Sequence, residues 1–258
     1  MKLRFLGTGT SQGVPVIACK CEVCQSQNPR DRHLRTSALV EMDDGKNILI
    51  DIGPDFREQM LRERVTHLDG ILITHAHRDH VAGIDDIRAF NWVQQQKMEV
   101  YCNPQARFAI ERDYHYIFAE HEFPGLPEAN LHEVTGDEAF VVAGHTVMPI
   151  KAMHKDLPVL GYRIGPLAYI TDANKITTEE LDKVMGVDTL VINALRKQKH
   201  FSHYCLSEAL EIIKQVNPRE AYLTHMSHEM GLFANTEKEL PPHVHLAYDG
   251  LKIDILNK

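Results

Sequence analysis

The chain has 258 residues, 43% of them hydrophobic and 25% charged, with 28 Lys+Arg against 36 Asp+Glu. That length suits one large domain or two small ones, and the hydrophobic share excludes a disordered chain. The formal net charge of −8 is a poor start for gripping a nucleic-acid backbone, and no run approaches the ~18–20 apolar residues of a membrane span. Residues 1–15 contain no apolar core of the signal-peptide kind, so a cytoplasmic protein is expected. Histidine is the outlier, with 16 against 15 Gly, and three of the five Cys fall within six residues.

Strand-like runs recur along the chain at Lys2–Leu6, Ser37–Met42, Asn47–Asp51, Gly70–Thr74, Lys97–Tyr101, Thr146–Ala152, Gly161–Ile164, Ala168–Thr171, Thr189–Asn193 and Ala221–Thr224. Asp43-Asp44-Gly45 reads as a hairpin turn between two of them. Helical patterns lie at Pro54–Arg64, Ile84–Gln95, Thr177–Met185 and Ser207–Val216. Hairpins come first and strand–helix alternation later, which predicts a mixed α and β class with layered sheets in a single domain, 1–258. No internal repeat and no Pro/Gly/Ser-rich linker divides the chain.

The sharpest feature is Thr74-His75-Ala76-His77-Arg78-Asp79-His80, directly after a buried strand. Four potential ligands in six residues at a strand end are hard to explain as packing, and His with carboxylate suits Zn, Mn or Fe. One ion rarely takes four ligands from so short a loop, so the spacing divides them: His75 and His77 on one ion, Asp79 and His80 on a second. Completing donors stand at later strand ends: His154 after Ile150–Met153, Asp172 after Leu167–Thr171, and His225 after Tyr222–Thr224.

The order His-x-His-x-Asp-His, isolated His, isolated Asp, last His resembles the metallo-β-lactamase-fold hydrolases. That resemblance implies an α+β fold, an αββα sandwich of two mixed sheets packed face to face with helices outside and metals at one edge. Carried over by motif, His75, His77 and His154 would bind the first ion, Asp79, His80 and His225 the second, and Asp172 would bridge them. Asp51 in Ile50-Asp51-Ile52-Gly53 matches the family's strand-ending Asp, which orients the metal loop by hydrogen bonds.

Cys19-Lys20-Cys21-Glu22-Val23-Cys24 offers three thiolates in a zinc-binding spacing, within a Cys-rich loop near residues 16–30. His228 is the candidate fourth ligand of a structural zinc; Cys102 and Cys205 read as ordinary buried residues. The start Gly7–Pro15, the Cys cluster and Thr224-His225-Met226-Ser227-His228 together resemble the phosphoribosyl cyclic phosphodiesterases of phosphonate breakdown, dinuclear enzymes with an added structural zinc. The Gly-rich start lacks the Lys and Ser/Thr of a phosphate loop and reads as a structural turn.

Breaking a phosphodiester also requires protonating the leaving oxygen. His203, with Leu206 three residues on, matches the His-x-x-Leu context in which phosphodiesterases of this fold carry that acid; His200 does not. Imidazole titrates near neutral pH, as such an acid must. His203 and the ligand Asp79 are thus the expected catalytic residues. Arg196, Lys197 and Lys199 make the preceding loop basic, which suits a phosphate but equally a solvated loop.

The expected function is a dinuclear phosphodiesterase, with two Zn or Mn ions and one structural Zn, acting on a small cyclic or nucleotide-like phosphodiester. A transfer-RNA 3′-processing endonuclease is the first alternative; the charge of −8 and the absence of a Lys/Gly-rich arm argue against it. An acyl hydrolase would have no clear use for His203. A non-catalytic relative resembling the pyrroloquinoline-quinone biosynthesis protein would not need all seven ligands. Nucleic acid and membrane are not expected partners; Phe118, Phe123 and Leu126 offer either a homodimer contact or a core or lid role.

Overall fold

The structure is a computed structural model that describes residues 1–119 and 125–256. Two seven-stranded sheets face each other. In chain order the strands are β1 (Lys2–Gly7), β2 (Ser37–Glu41), β3 (Asn47–Ile50), β4 (Gly70–Leu72), β5 (Met98–Cys102), β6 (Ala129–Glu133), β7 (Phe140–Val142), β8 (His145–His154), β9 (Leu157–Ile164), β10 (Leu167–Ile170), β11 (Thr189–Asn193), β12 (Glu220–Thr224), β13 (Val244–Leu246) and β14 (Lys252–Asp254). One sheet runs β14-β1-β2-β3-β4-β5-β6 and the other β13-β12-β11-β10-β9-β8-β7.

Each sheet is half antiparallel and half parallel. In the first, β1, β2 and β3 pair antiparallel, and β3 to β6 are parallel. In the second, β7 to β10 pair antiparallel, and β10 to β13 are parallel. The expected passage from hairpins to strand–helix alternation therefore happens twice, once per sheet. The two halves share this plan without any repeat in the sequence.

The strands are buried on both faces, which is why so many read as unbroken apolar runs. In β3, Ile48 and Ile50 point into the core between the sheets, with Phe5, Val40, Tyr162 and Tyr169, whereas Leu49 points outward to helices that carry Phe56, Ile84 and Phe90. On the other side Ile170, Leu190 and Ile192 meet Ala209, Ile213 and Val216 of the helix Leu206–Val216. These are the four layers of an αββα sandwich. Burying one such aliphatic side chain contributes about 1.5–3 kcal/mol.

The hairpin turn forms as read, with Gly45 at φ 84° donating from its N–H to Met42 O. Of the four expected helices, Ile84–Gln95 splits into a 3₁₀ turn at Ile84–Ile87 and an α-helix at Arg88–Gln94. The helix Pro104–Asp113 escaped the periodicity reading, although its start is legible: Asn103 accepts from Ala106 N, and Pro104 is the first helical residue. Strands β6, β7, β13 and β14 were also missed, being sheet-edge strands of three to five residues. The first half of β9 was hidden by Pro158. Cys102 and Cys205 are buried. Phe118 packs, half-buried, against the core beneath the first sheet, and Phe123 lies outside the described residues. Among the described residues no helix is long and apolar enough to cross a membrane.

Candidate metal centre and active site

Strand ends supply the site. β3 ends into Asp51, β4 into Thr74 and the His75–His80 loop, β8 at His154, β10 into Asp172, and β12 into His225. β10, β11 and β12 run parallel in register, pairing Ile170 with Ile192 and Ile192 with Leu223, so Asp172 and His225 emerge at one edge. Tyr162 donates its hydroxyl to Ile73 O at 2.6 Å and Leu160 N donates to Thr74 O at 2.9 Å, tying the metal loop of one sheet to β9 of the other.

Asp51, Asp172 and His225 all adopt left-handed backbone, with φ of 62°, 57° and 57°. For non-Gly residues that conformation is uncommon and is held only where surroundings over-determine it. Here it turns each chain sharply off its strand and aims the side chain across the sheet edge. The turn at Asp172 is clamped by Asn193, whose amide accepts from Ala173 N and donates to Ala173 O. Gly53 lets the metal loop close onto the Asp51 turn, because a Cβ there would lie 2.1 Å from Asp79 O.

The hydrogen bonds fix which nitrogen of each imidazole faces the centre. Asp51 is fully buried; it accepts from Thr74 N (2.8 Å), Thr74 Oγ1 (2.9 Å) and His80 Nδ1 (2.6 Å). Because the Thr74 hydroxyl proton is spent on Asp51, its oxygen accepts from His75 Nδ1 at 3.0 Å. His154 Nδ1 donates to Ser202 O at 2.8 Å. In all three residues Nδ1 is engaged and Nε2 is the nitrogen turned toward the centre, as a metal ligand requires.

His75 Nε2, His80 Nε2 and His225 Nδ1 are buried without a hydrogen bond. Unpaired buried polar atoms are costly and call for a partner. Donor atoms of Asp79, His80, Asp172 and His225 all lie within 4.8 Å of one another, as do those of His154, Asp172 and His203. Asp172 belongs to both groups. His75 and His77 stand beside them, with ring centroids 4.6 Å apart and 5.8 and 5.1 Å from His154.

The electrostatics match a cation. Burial drives His75 well below its ordinary pKa and His225 down to about 3, so both present neutral imidazoles. Burial alone would raise Asp172, but His225 and His80 hold it well below the usual carboxylate range. Burial also opposes charge on His80, yet Asp172, Asp79 and Asp51 outweigh it and draw a positive charge to that spot. A divalent ion would satisfy the same three carboxylates. The residues present therefore fit metal binding.

His203 sits at the rim of this cluster. Its Nε2 lies 3.1 Å from Asp172 Oδ1, and since a carboxylate only accepts, that nitrogen carries the proton. Its Nδ1 meets Ser202 Oγ at 3.1 Å and His200 Nδ1 at 3.2 Å. The basic run before it is not free: Arg196 pairs with Glu229 and Lys197 with Glu239, both at 2.6 Å, and Lys199 with Glu208 at 3.7 Å.

The Cys cluster is also assembled. His228 Nδ1 lies 3.3, 3.2 and 3.4 Å from the sulfurs of Cys19, Cys21 and Cys24, and all four donors fall within 4.8 Å. Zinc–sulfur and zinc–nitrogen bonds of ~2.3 and ~2.0 Å at a tetrahedral angle require an N···S edge of ~3.5 Å, so the donor set fits one zinc. A hydrogen bond from Cys24 N leads the effects that lower Cys21 to about 6, toward the thiolate a metal needs, whereas burial raises Cys24 to about 11. The Gly-rich start is structural, as read: Thr10 N donates to Met226 O and Met226 N to Thr8 O, which brings the Cys loop against the His228 turn.

Residues 46–226 match the Beta-lactamase superfamily domain. The chain belongs to the metallo-β-lactamase superfamily. Members resembling it differ in what they are called. An octanoyltransferase of Porphyromonas gingivalis is 42% identical over 259 residues, which cover 100% of this chain and 52% of that relative. The chain thus spans about half the length of that relative. A crystal structure of a diphosphatase from the PhnP family is 36% identical with a TM-score of 0.91, covering 98% of this chain and 96% of that one. Zinc-bound PqqB from Methylobacterium extorquens is 18% identical with a TM-score of 0.77 over 99% of this chain and 100% of that one; it shares the fold. Within this superfamily's fold the His/Asp donors form a candidate metal site.

Proposed function

We propose that the chain hydrolyses a small phosphodiester, cyclic or nucleotide-like, at the His/Asp centre. His75, His77 and His154 would hold one divalent ion, Asp79, His80 and His225 a second, and Asp172 both, with Zn or Mn as the candidates; Cys19, Cys21, Cys24 and His228 would hold a structural Zn. Two bound ions would supply Lewis acidity toward the phosphoryl oxygens and a hydroxide nucleophile at neutral pH.

The protein's own groups do the rest. Asp51 keeps His80 turned so that Nε2 faces the centre, and Ser202 O does the same for His154. His203 Nε2–H donates its proton to the departing alkoxide as the P–O bond breaks. The observation that carries this reading is His203 Nε2 held 3.1 Å from Asp172 Oδ1, at the edge of the donor cluster. An acyl hydrolase would have no duty for it. The octanoyl transfer in the name of the Porphyromonas relative is said of a protein about twice as long.

A diphosphatase reading uses the same groups on a P–O–P bond, and the 36% identical neighbour is described in those words. The test is a screen of cyclic phosphodiesters, linear diesters and dinucleoside diphosphates with added Mn or Zn. Turnover of a diester supports the proposal. Inactivity on all of them with both ions bound would favour a non-catalytic relative.

A further inference from the structure

One group at the mouth of the centre has no duty so far. Phe201 is 71% exposed although it lies two residues before His203 and next to Ser202. A single exposed apolar side chain is ordinary on a protein surface. The way this one is held is not. Asn174 Nδ2 donates to Phe201 O at 3.0 Å, Asn174 Oδ1 accepts from Lys155 N at 2.9 Å, and Asn174 N donates to Met153 O at 2.8 Å. One asparagine thus pins the three segments that carry His154, Asp172 and His203. The His200 ring flanks Phe201 at 4.4 Å, and Lys155 Nζ stands over its face at 5.8 Å. Lys155 takes the left-handed conformation, with φ 56°, and is exposed like Phe201. An exposed aromatic ring on a pinned backbone and the ammonium over it therefore stand together beside His203, both open to solvent.

We propose that Phe201 is a stacking platform for a planar heterocyclic ring in the substrate, which is therefore a nucleotide, with Lys155 facing negative charge beyond the scissile phosphate. This rests on the phosphoester reading above and names its substrate class. Aromatic side chains stack any base through its π-face, and a cation beside them holds the phosphate. The segment is pinned before substrate arrives, so little ordering remains to oppose binding.

The test is isothermal titration of the metal-loaded protein with adenosine 5′-monophosphate and with ribose 5-phosphate, in wild type, Phe201→Ala and Phe201→Trp. Wild type is expected to favour the adenylate at least ten-fold, Phe201→Ala to lose about ten-fold in adenylate affinity, and Phe201→Trp to keep it. Equal affinity for the two ligands in wild type, or an undiminished preference in Phe201→Ala, overturns the proposal. Turnover of adenosine 2′,3′-cyclic phosphate is followed in parallel. If wild type cleaves no diester yet prefers the adenylate through Phe201, the phosphodiester reading falls and the stacking platform stands.

Discussion

The two donor clusters are built on opposite plans. The His/Asp centre draws its candidate ligands from the ends of β4, β8, β10 and β12, in both sheets, and buries all of them but His77 and His154. The Cys cluster takes three ligands from six consecutive residues and one from a 3₁₀ turn, at the surface. The first spends much of the fold on orienting ligands: Asp51, Thr74, Ser202 and Asn193 each hold a ligand or its turn. The second has three thiolates and one imidazole and closes on itself. Chemistry needs an open, oriented centre, whereas a staple needs only a complete one.

The largest effect that would sharpen this contrast is expected at His203. His203→Ala should lower turnover of an alkyl phosphodiester by about 10²–10⁴-fold while the metal content stays at the wild-type value. Steady-state kinetics with metal analysis of the same samples reads both; loss of metal would assign His203 to the ligands instead. Asp51→Asn comes next. It leaves the shape of the turn but puts a donor where His80 Nδ1–H needs an acceptor, and should weaken metal affinity of the buried centre by about 10–100-fold. Competition with a chelator dye measures it, and the Cys cluster should keep its ion throughout.

His228→Ala should do the reverse. One equivalent of zinc is lost and the melting temperature falls by several degrees, because the Gly-rich turn and the His228 turn lose their clip. The His/Asp centre keeps its metals, as mass spectrometry of the intact protein would show. If both clusters emptied together, the separation drawn between them would be wrong.

The smallest effect lies beneath the Gly-rich turn, where Thr8 Oγ1 donates to Asp249 Oδ1 at 2.7 Å and meets His33 Nδ1 at 2.8 Å. Burial lowers His33 to about 4 and raises Asp249 to about 6. The signs oppose. Between pH 6.5 and 4 the unfolded chain takes up the His33 proton and the folded one does not, so acidification removes stability. Between pH 6 and 4 the folded chain takes up the Asp249 proton first, so acidification restores some. By linkage the His33 share lost from pH 7 to 5 is about 2 kcal/mol. His33→Gln should therefore gain about that much relative to wild type over the same interval in urea unfolding. A variant that tracks wild type at both pH values would show that His33 is charged in the fold.

Much of the buried centre was legible because its ligands are dense or stand at the ends of apolar runs. His75, His77, Asp79 and His80 announce themselves by spacing, and a fully buried strand that ends in His or Asp has few other uses for it. The sheet order was not legible: the same hairpin-then-crossover plan occurs twice with unrelated residues. Nor was the left-handed backbone at Asp51, Asp172 and His225, since none of them is Gly or Asn. Phe201 was invisible for a different reason. The role proposed for it lies in exposure and in three hydrogen bonds that Asn174 makes, neither of which leaves a periodic trace in the chain.

The central claim is that His203 protonates a leaving oxygen beside the buried centre, and the leaving group itself tests it most directly. An alkoxide needs that proton, whereas para-nitrophenolate departs readily without it. The ratio of wild-type to His203→Ala turnover is measured on an alkyl phosphodiester and on bis-para-nitrophenyl phosphate, with the metals quantified in both proteins. The account predicts a ratio of about 10²–10⁴ on the alkyl ester and one at least ten-fold smaller on the nitrophenyl ester. Equal ratios on the two substrates would contradict it.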